Sequence, residues 1–224
     1  MKKLLLALLL MAFCFSAAAE GTEFTSGDYT YVLLDDGTAE IIAYSGDDEA
    51  VVIPAELDGC AVTSVGKKAF DFCLSAQSIV VPEGVTNIGE RAFSRCLSLT
   101  SLTLPESLVT IGVQAFSECM IIEELVIPAN VKAIEDETFY RCKALKSLTL
   151  PEGLESIAGF VFYETEALLE LTIPAGVTYI NEDAFMYYAE DMVLTVAPDS
   201  YAQTWAVENE VAHVVADPAT EAVD

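Results

Sequence analysis

From Leu99 onward the apolar and polar positions fall into a pattern that recurs. Leu99, Leu102 and Leu104 are apolar, and Ser101 and Thr103 separate the last two positions of that set. Pro105 follows, then a second apolar pair, Leu108 and Ile111, then Ala115 and Phe116. The same first set returns as Ile122, Leu125, Ile127, as Leu145, Leu148, Leu150 and as Leu168, Leu171, Ile173. Alternation with period two predicts a short strand with one face buried. Proline ends it, because it has no N–H for a ladder. Gly112 allows a bend, and "VQAFSEC" is long enough for one helical turn that points Ala115 and Phe116 inward.

The interval is constant. Pro82, Pro105, Pro128, Pro151 and Pro174 are each 23 residues apart, with Pro54 preceding by 28 and Pro198 following by 24. Phe70, Phe93, Phe116, Phe139, Phe162 and Phe185 are also 23 apart throughout. A period of this size signals a solenoid, in which no unit buries its own apolar face and stacked units bury a shared one. The expected fold is an α/β repeat solenoid: a right-handed stack of about six coils, each with a short parallel strand and a helical turn, capped at both ends. The phenylalanines form its spine, one above another. Segments follow from this: a leader over 1–19, an N-terminal β cap over 20–66, repeats over 67–197, a helix-strand cap over 198–216 and an acidic tail over 217–224. In the first cap, two alternating strands flank the turn "DDG" as in a hairpin. In the second, Ser200 and Gln203 form a capping box, Tyr201 and Trp205 share a helix face, and "VAHVV" adds a last strand.

The stretch "VPEGVTNIGERAFSRCLSLTSLTLP" resembles the leucine-rich repeat, and most closely its BspA-type subclass, whose pattern reads IPxxVTxIGxxAFxxCxxLxxLTIP. The resemblance covers about Val51 to Pro198. It departs from the commonest leucine-rich pattern, with Ser107 and Val109 where that pattern has Asn or Cys and then Leu. The subclass shares this departure, which implies a coil without an asparagine ladder. The resemblance also implies a bacterial surface or secreted protein that adheres to host matrix proteins.

Hydrophobic residues make up 53% of the 224-residue chain, so burial is not limiting. Lys2, Lys3, the apolar run Leu4 to Phe15 and the small residues Ala17 and Ala19 read as a secretory signal peptide. Phe13 before Cys14 argues against a lipid-attachment site. The expected mature protein is therefore secreted or at the cell surface, without membrane insertion. The formal net charge is −26, and the eight basic residues beyond the leader all lie between Lys67 and Lys146. Nucleic acid is a poor partner for such a chain, as is anionic lipid.

Few constellations suggest chemistry. Cys73, Cys96, Cys119 and Cys142 recur once per coil, and the series continues as Thr165 and Tyr188. A straight row does not offer the tetrahedron that zinc needs. Equivalent side chains lie alongside one another, so buried free thiols are expected although secretion permits disulfides. Cys60 in the cap is the expected reactive thiol. His213 is the only histidine, with no nucleophile motif beside it. The acidic runs Asp47–Glu49 and Glu135–Glu137 lack the spacing of a calcium loop. Neither a catalytic centre, a metal site nor a cofactor is expected. What remains is surface. The outward strand positions Ser101, Thr103, Glu124, Val126, Ser147, Thr149, Glu170 and Thr172 form one continuous face, the candidate site for a protein ligand. Tyr163, Tyr179, Tyr187 and Tyr188 form an aromatic patch near the last coils, or only cover them. Two roles remain open: an adhesive interaction module, or a scaffold in the cell envelope that binds a partner of the same cell.

Overall fold

The computed structural model describes residues 21–217; the leader and most of the acidic tail lie outside that range. Each coil carries two short strands. In the central coils the first alternates buried and outward residues, as in β9 (Ser101–Thr103), where only Leu102 is buried; the last rung, in the second cap, is mostly exposed. Equivalent strands are β4 (Ala50–Val52), β7 (Ser78–Val80), β11 (Glu124–Val126), β13 (Ser147–Thr149), β15 (Glu170–Ile173), β17 (Val193–Val196) and β18 (His213–Val215). The second strand of each coil was not expected. It follows the proline turn and buries the Ile111-type residue, as in β10 (Thr110–Ile111). Its ladder runs through β3 (Ala39–Tyr44), β6 (Cys60–Val65), β8 (Asn87–Ile88), β10, β12 (Ala133–Ile134), β14 (Ser156–Ile157) and β16 (Tyr179–Ile180). Where neighbouring rungs pair they do so in parallel with a shift of one repeat, Ser78 to Ser101 in the first ladder and Ile88 to Ile111 in the second; the second ladder is interrupted between β10 and β12. The stack is also taller than six coils. The first ladder has eight strands, because the caps contribute rungs of their own.

The expected helical turn does not form. Its place is taken by turns with left-handed residues at fixed positions: Arg91 and Arg95 in one coil, Gln114 and Glu118 in the next, Glu137 and Arg141 after that, with φ between 56° and 60°. A helix would return every N–H to its own coil. Here Phe93 donates to the carbonyl of Ala115 in the next coil at 2.9 Å and Phe116 to that of Thr138 at 3.2 Å, while Ala115 and Ser117 close local turns onto Gly112 and Gln114. Left-handed backbone at a non-glycine residue costs about 1–2 kcal/mol. The bonds sent to the neighbouring coil are what hold it there. Gly112 is required for a different reason: a Cβ at this position would lie 2.7 Å from the backbone nitrogen of Glu90 in the coil before.

Inside, the phenylalanines make a continuous column. Tyr44, Phe70, Phe93, Phe116, Phe139, Phe162 and Phe185 stack in order, with centroids 4.7–6.2 Å apart, and Trp205 closes the series 5.4 Å from Phe185. Full burial of each ring contributes about 1.5–3 kcal/mol. The first cap is an antiparallel meander of β1 (Glu23–Ser26), β2 (Tyr29–Leu33) and β3, in which the Asp35–Gly37 turn joins β2 to β3. A short strand, β5 (Glu56–Leu57), pairs with β6. The second cap is the helix α1 (Tyr201–Glu208) and β18. Ser200 accepts from the backbone N–H of Gln203 at 3.1 Å, and the Gln203 side chain accepts from the N–H of Asp199. Its buried face is Ala202, Trp205 and Ala206. Tyr201 is exposed, so it does not share that face as expected: a spacing of four turns it about 40° from Trp205, and the core claims the residues around Trp205 instead.

Candidate interaction surface

The outward side chains of the first ladder form two parallel rows. One contains Ser78, Ser101, Glu124, Ser147, Glu170 and Val193; the other contains Val80, Thr103, Val126, Thr149, Thr172 and Thr195. All eight candidate ligand-binding residues named from the sequence are exposed here, Val126 at 63%.

The face is not one sheet. The ladder divides into β4-β7-β9, β11-β13 and β15-β17-β18, so β9 does not pair with β11, nor β13 with β15. A groove lies at each opening, with volumes of about 610 Å3 and 360 Å3. Together they are lined by all eight candidates. Sequence reasoning identified the residues but missed the openings. It also missed Glu106, Leu104, Glu152 and Leu150, which line them. One signal was present: each opening precedes a strand that begins with Glu, at Glu124 and Glu170, whereas the rungs that pair with the one before begin with Ser78, Ser101, Ser147, Val193 or His213.

The turn side of the solenoid is occupied with holding coils together. Arg95 reaches back to Asp71 with a two-pronged ion pair at 3.1 and 3.0 Å and lies 3.9 Å over the Phe72 ring. Lys67 pairs with Glu90, Arg141 with Glu164 and Lys143 with Glu166, each one coil away, and on the strand side Lys146 pairs with Glu123. Arg91 donates to Gln114, and Gln114 donates to Glu137 at 2.6 Å. Six of the eight basic residues beyond the leader take part in these contacts between coils. The Lys67 hydrogen bond holds Glu90 below its ordinary carboxylate value.

The cysteines separate into two kinds. Cys96, Cys119 and Cys142 are buried free thiols, each donating to the carbonyl of a phenylalanine one coil back (Phe70, Phe93 and Phe116) at 3.2–3.3 Å. Burial raises the Cys142 thiol to about 12. Cys73 is also free but only half-buried, and Cys60 is buried in β6. Accessibility therefore favours Cys73, not Cys60, as the reactive position. Thr165 takes the next place in the row and bonds to Phe162 of its own coil.

Other candidates are structural. His213 lies 3.1 Å from the Val211 carbonyl. The Asp136 carboxylate accepts from Gly159 and the Glu137 carboxylate from Gln114, so both serve turns. Among the described residues, no cluster of His, Cys, Asp and Glu could hold a metal ion, and no helix is long and apolar enough to cross a membrane. The tyrosines do not form one patch. Tyr163 stacks with Tyr140 at 4.7 Å and meets Tyr187 edge-on, Tyr179 lies on β16 of the second ladder, and Tyr188 packs against Phe185.

The family model of the BspA type leucine rich repeat region matches residues 63–190 in 6 copies. Several solved structures are similar. A leucine rich cell surface protein of Faecalibacterium prausnitzii is 26% identical over 80% of this chain and 56% of that one, with a TM-score of 0.62. The T. pallidum leucine-rich repeat protein is 26% identical over 79% of this chain and 71% of that one, with a TM-score of 0.53. The pneumococcal vaccine antigen PcpA shares the fold at 18% identity, over 89% of this chain and 49% of that one, with a TM-score of 0.55. This chain thus spans about half the length of two of them. No curated protein matches it. Six copies across more than half its length show that the chain belongs to the BspA-type leucine-rich repeat family.

Proposed function

We propose that the protein is a secreted, non-catalytic interaction module that binds host matrix or cell-surface proteins through the face of the first ladder. The observation that carries this reading is the long exposed face, interrupted by two grooves, on a solenoid whose basic side chains are largely paired between coils. Stacked repeats offer such extended surfaces to protein partners. The cell-surface description of the Faecalibacterium protein supports an extracellular setting. The high negative charge disfavours nucleic acid and anionic lipid as partners.

The test is a binding screen with residues 20–224 against matrix proteins, host cell surfaces and an envelope extract of the source organism, beside a charge-matched acidic control protein. Saturable binding to a host component, lost in the Glu124→Lys and Glu170→Lys double variant, is the expected result. Binding only to the envelope extract would replace adhesion with a scaffolding role. Binding to neither would leave the fold as it is and remove the interaction reading.

A further inference from the structure

The two grooves are copies of one another. Displacing the lining of the first by two coils, 46 residues, reproduces most of the second: Thr103 becomes Thr149, Leu104 becomes Leu150, Glu106 becomes Glu152, Glu124 becomes Glu170 and Pro128 becomes Pro174. Each has an apolar floor that the opened ladder leaves within reach of solvent. Leu104 is half-buried and Leu148 and Leu150 are each 7% exposed, whereas Ile79, at an intact rung, is 0% exposed. Besides Glu123, which lines the first, each has two carboxylates at its rim, Glu106 with Glu124 and Glu152 with Glu170. Among the described residues none of these four is in an ion pair. The chain supplies an example of the complementary group. Lys146, at the rim of the second groove, places its ammonium 2.8 Å from Glu123, which lines the first.

We propose, on the basis of the strand-face reading above, that the grooves take two basic side chains of one extended partner segment, each stem on a leucine floor and each head between two carboxylates. An apolar stem ending in a charge is what lysine and arginine present. The spacing selects the segment. Two rungs separate the grooves by about 10 Å along the stack. A polyproline II segment rises about 3.1 Å per residue with three residues per turn, so positions i and i+3 share a face about 9 Å apart. In a β-strand, same-face positions lie about 7 or 13 Å apart. The match is to a proline-rich segment with basic residues three apart, running across the strands. Such a segment carries its backbone solvated and does not need a strand edge.

The experiment titrates the intact protein at low salt with labelled peptides containing Lys-Pro-Pro-Lys, its isomer Lys-Lys-Pro-Pro and a single-lysine version. The first is expected to bind about fivefold or more tighter than the other two, since two tethered contacts reinforce each other. Glu124→Gln or Glu170→Gln alone should reduce it to the single-lysine level. Glu182→Gln, an exposed acid on the turn side, should leave it unchanged, and circular dichroism should confirm that all three variants fold. Equal binding of the two isomers, or equal loss in Glu182→Gln, would show general charge attraction and overturn the proposal. So would absence of binding by every peptide. In that case, capture of a matrix protein that is sensitive to Glu124→Lys and Glu170→Lys would still uphold the strand-face reading.

Discussion

Phe116 and Cys119 repeat for different reasons. Phe116 lies between Phe93 and Phe139 at 6.1 and 5.9 Å, so truncating it removes ring contacts in two directions. Phe116→Ala is expected to cost about 3–5 kcal/mol, measured by chemical denaturation, and Phe116→Leu less because it retains most of the volume. The cysteine at this position is a small apolar filler with one weak donor, satisfied by a carbonyl of the preceding coil. Cys73 is the exception because its coil lies next to the cap and leaves it half-buried. Its thiol is still raised above the ordinary value, chiefly by burial. Alkylation of the folded protein at pH 8 should therefore modify Cys73 first and slowly. Cys96, Cys119 and Cys142 should react only after unfolding, as peptide mass mapping would establish. Early modification of Cys119 would mean that the core opens more readily than its packing implies.

At the scale of the element, the consequential difference is between a helical turn and a left-handed turn over residues 113–119. Apolar spacing could not distinguish them, because both turn Ala115 and Phe116 inward. The decision came from hydrogen bonds to the adjacent coil, which local sequence does not encode. The two alternatives predict opposite mutational effects. In a helix, Glu118→Gly would destabilise by about 1 kcal/mol. At φ 60° the glycine relieves backbone strain that offsets its entropy cost, so Glu118→Gly is expected to be neutral or slightly stabilising, with Glu118→Val destabilising by more than about 1 kcal/mol. Thermal unfolding of the pair would decide the matter. The second strand of each coil escaped detection for a related reason. Two-residue strands such as Thr110–Ile111 are too short to show alternation, and they become strands only when the next coil supplies the partner.

For the whole molecule, charge and caps set the conditions of stability. Two phenols of the first cap are raised to about 12 from an ordinary 10. Burial is the largest cause in each, followed by the neighbouring Tyr44 for Tyr29 and the hydrogen bond to Asp58 for Tyr31. A raised value means that the folded state holds its proton longer than the unfolded chain. The stabilisation is fully present below pH 10 and is lost as pH rises through about 12, so alkaline unfolding is expected to begin in the first cap, as amide exchange near pH 10.5 would show. Glu90 has the opposite sign. Its contribution is present above pH 4.5 and disappears as pH falls through its lowered value. The long-range field acts across the stack. With a net charge of −26, moderate salt should raise the melting temperature by screening self-repulsion, even though it weakens the exposed Lys67–Glu90 pair.

The period, the buried columns and the family could be read from the sequence, because a solenoid writes each structural requirement once per coil at a fixed interval. Phe70 through Phe185 and Leu102, Leu125 and Leu148 declare what is inside by recurrence alone. The outward residues Ser101 through Thr172 were legible for the same reason, since alternation fixes which side of a strand faces out. Tertiary structure decided what depends on the distance between coils. It converted the expected helical turn into left-handed turns, because N–H groups there bond to the next coil. It also separated β9 from β11 and β13 from β15, and so turned a uniform row into two grooves, one lined by Glu106 and Glu124 and the other by Glu152 and Glu170. The repeat period specifies that coils stack; how closely each pair approaches is settled by side chains and backbone bonds meeting across the interface, and a single coil's sequence contains only one half of that contact.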